Sequence, residues 1–398
     1  MTTSSAQFDG PRLLHREELI DSDRLFHICF GDIEARSEQE ILDTYVPPRR
    51  GGTYVFVFVQ EGKPVSQIGI FHDQLKIYDG TVRTGSIGGV CTHPEYRNQG
   101  LATRLMERCT QQLVNEGASL MLISGDKRVY MRLGNVFQGK YSYFAIKPGQ
   151  SNQWQPTPVD IQIRKATSED ALLCSQLYQA EPVHFVRQKS DFRRALEDRT
   201  RNTYICMDAW IIERAGQAVA YLFLGVPWGL QPSAGVRHVG EYAGSRPALV
   251  QAIHRIMATD NLQDVSWPVA WQDFELIQLL EISGYIGNIT NLDGHTLRII
   301  NFAGVMQDLR PVLQARLDAK LLRGLRFEQS GPLLGGIGDD RYTIIRGSDR
   351  LELDGAAMTQ LVMGNANTQE ALPAPGALAE VISALFPLPS FLPGLNYH

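Results

Sequence analysis

The sequence predicts a mixed α/β fold in which one strand-and-helix plan runs twice and a smaller α/β unit follows. Three observations carry this. Up to about residue 150, stretches alternating apolar and polar residues lead into a strand–helix–strand crossover. After a segment rich in Pro, Gln, Ser and Asn, from Pro148 to Pro158, the same order recurs as far as residue 302. From Gly304 the texture changes to a helix, three short strands and two further helices. A chain of 398 residues exceeds what one hydrophobic core serves, so a division at 1–150, 158–302 and 303–398 is expected.

In the first unit Leu13 to Glu17 reads as a short strand and Leu19 to Phe30 as an amphipathic helix. Thr53 to Gln60 and Pro64 to Phe71 flank Glu61-Gly62-Lys63 and predict a hairpin. Leu75 to Val82 bends at Asp79-Gly80 and leads to an apolar strand, Ser86 to Thr92, closed by His93-Pro94. Leu101, Leu105, Met106, Cys109, Leu113 and Val114 recur at helical spacing until Glu116-Gly117 ends the helix. Leu120 to Ile123 is a buried strand, Arg128 to Leu133 a short helix, and Tyr141 to Ile146 the strand expected to close the unit.

The second unit repeats this with a strand at Ile161 to Ala166, a helix start at Ser168-Glu169-Asp170, and a hairpin of Trp210 to Glu213 with Ala218 to Leu224. Val239 to Tyr242 is a strand and Pro247 to Met257 a helix. Val265 to Ala270, a helix from Phe274 to Ile282, and a strand from Leu297 to Phe302 finish the series. In the tail unit one helix is expected from Met306 to Leu322, with Leu309, Val312, Leu313, Leu317 and Leu321 on one face. Strands at Leu325 to Gln329, Tyr342 to Arg346 and Leu351 to Leu353 precede helices at Gly355 to Met363 and Ala377 to Leu385. A proline-studded segment ends in Asn396-Tyr397-His398.

Composition excludes several classes. A net charge of −5 carries no nucleic-acid footprint. No apolar run reaches the roughly 18 residues of a membrane span, and Met1 to Ser5 lacks the charged and apolar regions of a signal peptide. A cytoplasmic protein is expected. The five cysteines are scattered without metal-ligand spacing, and the histidines form none either, so no metal is expected. Cys91 and Cys109 fall on apolar faces and read as buried structural thiols. Asp21, Asp23, Asp32 and Glu34 either line a pocket for a polycation or serve as helix starts and solvated loops.

The most informative segment is Arg97-Asn98-Gln99-Gly100-Leu101-Ala102, between a buried strand and an amphipathic helix. A turn that opens a helix leaves free N–H groups and a positive dipole end, which suits a phosphate. Gly100 permits close approach of the backbone, Ala102 keeps the first turn unobstructed, and Arg97 adds fixed positive charge. The pattern Arg-x-x-Gly-x-Ala in this setting resembles the acetyl-CoA pyrophosphate loop of the GCN5-related N-acetyltransferases. That resemblance implies that the preceding strand, with Val90, Cys91 and Thr92, splays from its neighbour and pairs with the pantetheine arm. A backbone N–H near Val90 would polarise the thioester carbonyl. In the second unit the corresponding Ala243-Gly244-Ser245-Arg246-Pro247 lacks the pattern, so it reads as a degenerate copy without cofactor.

Tyr130, in Val129-Tyr130-Met131-Arg132-Leu133-Gly134, is either a general acid for a leaving thiolate or a buried aromatic with a satisfied hydroxyl. Two acetyltransferase units in tandem, the second degenerate, and a small α/β tail resemble the enhanced-intracellular-survival family over nearly the whole chain. Its motifs here are Pro94-x-x-Arg97-x-x-Gly100-Leu101 and Tyr130-x-Arg132-Leu133-Gly134. The resemblance implies acetyl-CoA-dependent N-acetylation of aminoglycosides or other small amines, a sterol-carrier-like tail domain and a hexamer. It also implies Tyr130 as general acid and the terminal carboxylate, here that of His398, as general base. The chain departs from the family in ending on His398, whose imidazole is itself a base with an ordinary pKa of about 6.5, and in placing Asn135 where an aromatic is common. Direct attack by the amine is expected, because no nucleophile stands out. Two other readings stay open: a lysine acetyltransferase acting on a partner protein, and a carrier or sensor that binds acyl-CoA or lipid with little turnover.

Overall fold

The chain enters its first sheet through β1 (Asp9–Leu13), which pairs antiparallel with β2 (Thr53–Gln60) at Arg12↔Val57 and Leu13↔Phe56. The computed structural model describes residues 8–31, 53–149, 160–197, 207–227, 230, 232–331, 340–365 and 376–396. The first strand therefore precedes its expected position. Glu18 accepts the His15 N–H at 2.9 Å and pairs with Arg12 at 2.7 Å, which bends Arg16–Glu18 into a 3-10 turn. α1 (Leu19–Phe30) follows as expected. β3 (Lys63–Ile77) and β4 (Gly80–Thr92) form a long hairpin.

α2 (Leu101–Asn115) lays Leu101, Leu105, Met106, Cys109 and Leu113 on this sheet, all buried. Each large aliphatic side chain so buried contributes about 1.5–3 kcal/mol. A Cβ at Gly85 would lie 2.3 Å from Leu113 Cδ2, so the glycine sets how closely α2 approaches β4. β5 (Leu120–Ser124), α3 (Arg128–Arg132), β6 (Val136–Phe137) and β7 (Tyr141–Ile146) complete the stretch.

The repeat comprises β8 (Ile161–Lys165), α4 (Ala171–Gln179), β9 (Val183–Phe185), α5 (Lys189–Glu197), β10 (Met207–Arg214) and β11 (Gln217–Gly225). It continues through β12 (Val236–Gly244), α6 (Arg246–Thr259), β13 (Asp264–Ala270), α7 (Phe274–Ile282), β14 (Asn288–Thr290) and β15 (His295–Ile299). Among the described residues the first sheet runs β1-β2-β3-β4-β5-β15-β6 with β9 added on β3, and the second runs β14-β7-β13-β12-β11-β10-β8.

The closing strands are thus exchanged. β7 lies in the second sheet beside β13, and β15 lies in the first between β5 and β6. The expectation that Tyr141–Ile146 closes the first unit is corrected. A local pattern of apolar residues fits either sheet, so polar partners from the tail decide. Tyr141, fully buried, donates to the Phe391 carbonyl at 2.6 Å. On β15 the Ile299 N–H donates to Thr359 Oγ1 at 3.2 Å and its carbonyl accepts from the Tyr342 hydroxyl at 2.6 Å.

The expected helix from Met306 to Leu322 is broken into α8 (Phe302–Asp308), α9 (Arg310–Arg316) and α10 (Ala319–Leu322). Pro311 has no N–H to continue α8 and opens α9 instead, while Leu317 is extended and Asp318 caps α10 through the Leu321 N–H at 2.8 Å. Leu309, Val312, Leu313 and Leu317 still face the core. β16 (Leu325–Ser330), β17 (Arg341–Arg346) and β18 (Asp349–Asp354) form an antiparallel sheet, with α11 (Gly355–Met363) and α12 (Gly376–Leu385). One apolar core crosses all three units, joining Leu75, Phe185, Tyr221, Phe302, Met358 and Phe391.

Candidate active site

β4 and β5 run parallel and pair from Thr84↔Leu120 to Ile87↔Ile123, where the pairing stops. Beyond it β4 continues to Thr92 bonded on its β3 side, with Gln67↔Cys91 and Ser66↔Thr92 in register. The strands open into a V, and Val90, Cys91 and Thr92 form the end of its β4 arm. A register shift between Gln67 and Gly69, with Gly89 at φ +60°, loosens this arm further. Ser66 Oγ donates to the Cys91 carbonyl at 3.2 Å, and the His93 N–H donates to Val65 O at 2.9 Å. The edge facing β5 has no strand partner among the described residues.

At the tip of this arm Arg97, Asn98, Gln99 and Gly100 are exposed, Ala102 is half-buried, and Leu101, 2% exposed, anchors the loop in the core. Asn98 and Gly100 take φ +65° and +75°, which curls the backbone into a concave turn ahead of α2. Gly100 caps the helix without a side chain, no acidic residue stands in the first turn, and nothing lies within 4 Å of where a Gly100 Cβ would be. An anion gains about 0.3–1 kcal/mol, and up to ~2 kcal/mol, at such a terminus. Arg97 Nε donates to the Thr92 carbonyl at 3.1 Å, tying the loop to the β4 arm. An open, uncapped helix end with a cation beside it fits a pyrophosphate.

Tyr130 sits just beyond the β5 arm. Its ring packs on Gly125, where a Cβ would approach Tyr130 Cε2 to 2.8 Å, and it is 6% exposed. The Tyr130 carbonyl accepts from Asn135 N at 3.1 Å and Asn135 Nδ2 at 2.9 Å, so Asn135 closes the end of α3. A five-residue helix has little stability of its own. Arg298 on β15 donates to the Leu133 carbonyl at 2.5 Å and pairs with Asp340 at 3.0 Å, both side chains 6% exposed. A strand from the second unit and a carboxylate from the tail thus hold the helix that carries the phenol.

His398 and Tyr397 lie outside the described residues, as do Asp32 and Glu34. The tail leading to His398 is fixed as far as Asn396. Gln272 brackets Ser390, donating to its carbonyl at 2.6 Å and accepting its N–H at 3.0 Å. The Leu395 N–H donates to Glu241 Oε2 at 3.0 Å. Glu241 pairs with Arg187 at 2.7 Å, deep in the protein, and accepts from the Tyr221 hydroxyl at 2.9 Å. Arg187 also donates to Asn396 Oδ1 and, at 3.4 Å, to the Pro393 carbonyl. Asn396 Nδ2 then donates to Asp73 on β3 at 2.9 Å. Pro393 and Asn396 line a small cavity with Ser86, Ile87, Ile123 and Ser124, at the vertex of the V. His295 lines it too, and burial pushes its imidazole down to about 4, so it is neutral at physiological pH.

The corresponding junction of the second unit is built differently. β12 and β13 also part, after His238↔Ser266. There Ser245 Oγ caps α6 through Ala248 N at 3.4 Å, and Glu181 accepts the Gly244 N–H at 2.8 Å. Arg246 is consumed by Glu181 at 2.7 Å and Asp273 at 3.0 Å. Carboxylates stand where an anion would have to sit, and the tail is bonded to Glu241 on the open arm of β12. Of the acidic candidates on α1, Asp21 pairs with Arg24 at 2.9 Å and Asp23 is buried beside His27 at 3.3 Å. Among the described residues no group of three His, Cys, Asp or Glu could hold a metal, and no described helix is long and apolar enough to cross a membrane.

Sequence reasoning missed Arg187, Glu241, Arg298 and Asp340. Glu241 and Arg298 carry a signal nonetheless: Glu241 stands beside Tyr242 and Arg298 between Leu297 and Ile299 in strands that read as core, and a charge there needs a buried partner.

Residues 11–135 match the family described as acetyltransferase (GNAT) domain. No curated protein matches the chain. Among solved structures, a probable N-acyltransferase from Enterococcus faecalis V583 is 15% identical with TM-score 0.68, covering 95% of this chain and 97% of that one. A GCN5-related N-acetyltransferase from Anabaena variabilis is 14% identical with TM-score 0.62, covering 96% and 100%. Eis1 from Mycobacterium abscessus is 14% identical with TM-score 0.62, covering 94% and 96%. At such identities the likeness is one of fold, and it extends over the mixed α/β architecture from end to end.

Proposed function

We propose that this chain, an acyltransferase with a GNAT acetyltransferase domain at its N-terminal end, moves the acetyl group of acetyl-CoA to a primary amine of a small cationic acceptor. The observation that carries the reading is the V between β4 and β5, with an uncapped helix end at its tip and Tyr130 beside its second arm. Acetyl-CoA supplies an activated acetyl thioester. Arg97 to Ala102 bind its pyrophosphate, and the free edge of Val90, Cys91 and Thr92 orients the pantetheine arm. Tyr130 gives its phenolic proton to the departing thiolate. The carboxylate of His398 accepts the proton that the attacking ammonium must lose. Its role is supported by the path of the tail, which brings Asn396 to the vertex cavity two residues before the end.

The test is thiol release from acetyl-CoA against polyamines, aminoglycosides, arylamines and lysine peptides. Turnover is expected with small polyamines or aminoglycosides, and Arg97→Glu with Gly100→Asp should weaken acetyl-CoA binding at least ~10-fold in calorimetry. Turnover confined to lysine peptides would reassign the acceptor to a protein. Intact binding in the double variant would remove the loop from the donor site.

The proposed oligomer is supported by exposed apolar residues around an edge strand. Phe274, Ile282, Ile286 and Ile289 are 62%, 52%, 81% and 63% exposed, and Ile289 lies on β14 at the rim of the second sheet. Ile286→Glu with Ile289→Glu should yield monomers in sedimentation velocity; a wild-type monomer would reject the assembly.

A further inference from the structure

We propose that the small cavity at the vertex of the V is the acyl pocket of the donor, and that Phe185 from the second unit and Pro393 from the tail close it. The chain would then take acetyl-CoA and reject longer acyl-CoA thioesters. The pocket's role rests on the donor site proposed above; its size and its walls rest on geometry.

The direction of the donor follows from the order of the strand. The turn from Arg97 to Ala102 stands at the open end of the β4 arm. From there Thr92, Cys91 and Val90 lead back toward Ile87↔Ile123, the last pair of β4 with β5. A pantetheine arm laid on that edge with its pyrophosphate at the turn ends at the vertex, acyl group first. The cavity found there measures about 20 Å³, room for one water-sized group. A methyl group is of that size, whereas each further methylene has to displace a wall.

The walls come from three parts of the chain. Ile87 and Ile123 belong to the arms of the V, Phe185 to β9, and Pro393 to the tail. None of these is placed to give way. Phe185 is 1% exposed and meets the Phe391 ring edge-on at 5.7 Å between centroids. Its N–H donates to the buried Tyr178 hydroxyl at 3.0 Å. The Pro393 carbonyl accepts from Arg187 at 3.4 Å, and a Cβ on the next residue, Gly394, would collide with Glu241 Oε2. Forcing an extra methylene against packed side chains is unfavourable, and one methylene in a fitted apolar pocket discriminates by about 10–200-fold. The limit on donor length is therefore supplied from outside the unit that carries the turn.

Calorimetry on the full chain tests this without an acceptor, using free CoA and its acetyl, propionyl and butyryl thioesters. The wild type should bind propionyl-CoA at least ~10-fold more weakly than acetyl-CoA, and butyryl-CoA more weakly still. Phe185→Leu and Pro393→Ala, which open the pocket, should narrow that gap to within ~3-fold. Ser86 lines the same cavity and is 6% exposed. Ser86→Val should fill it, weakening acetyl-CoA at least ~10-fold while free CoA stays within ~2-fold. Free CoA thus reports whether each variant keeps the rest of the donor site, and the wild-type series decides without any variant. Equal affinity of the wild type for the three thioesters would overturn the pocket alone. An unchanged gap in both opened variants would remove Phe185 and Pro393 from its walls. A wild type that binds neither free CoA nor acetyl-CoA would instead overturn the donor reading, and the pocket with it.

Discussion

Tyr130→Phe lowers kcat for acetyl transfer by about 10²–10³-fold, the scale a positioned general acid supplies, and leaves KM for acetyl-CoA within about two-fold. The phenyl ring keeps its packing against Gly125 and its place in the core around Ile123 and Leu133, so the variant folds. Only the hydroxyl is lost. A pure kcat effect is the signature of a group that acts in the transition state and contributes nothing to donor binding. Steady-state thiol release checks it, and a rate near wild type would return Tyr130 to the role of a packed aromatic. Arg298 and Asp340 hold the helix that carries Tyr130, since the guanidinium donates to the Leu133 carbonyl at its end and pairs with the carboxylate.

Arg187→Met destabilises the fold by about 3–5 kcal/mol, because it strands a buried carboxylate. Glu241 is 3% exposed at its side chain and, among the described residues, keeps the Tyr221 hydroxyl and the Leu395 N–H as donors once the guanidinium is gone. The same change frees the tail, since Arg187 also holds Asn396 and Pro393. Activity should fall with stability. Adding Glu241→Gln removes the stranded charge and regains part of the stability but not the tail contacts. Denaturant unfolding and thiol release on the two variants separate these effects. Deleting Tyr397 and His398 is the complementary test. It leaves the Arg187–Glu241 pair in place, so unfolding should be unchanged within about 0.5 kcal/mol, while kcat falls by about 10²-fold for loss of the base. A deletion variant with wild-type kcat would take the terminal carboxylate out of the mechanism.

Much of this molecule was legible because the relevant physics is local. α1, α7 and α11 have the bounds their apolar spacing predicts. The helix expected at 306–322 keeps its buried face, yet it breaks at Pro311 and Asp318, both visible signals that periodicity alone overrode. The turn from Arg97 to Ala102 was legible for the same reason: strand, turn, glycine and helix follow one another within about twenty residues. Its open first turn is the consequence of one missing side chain at Gly100.

Sequence alone determined the α/β class, the repeated strand-and-helix plan and the turn that opens α2, because each is written in neighbouring residues. Only the tertiary structure decided which sheet each closing strand joins. β7 and β15 carry interchangeable apolar patterns, and the choice rests on polar partners 43 to 250 residues away in the tail. It also decided where the tail goes. The carboxylate of Glu241, unexplained within its own strand, pairs with Arg187 and holds Leu395 of the tail, and such a pairing of distant groups leaves no mark in local spacing.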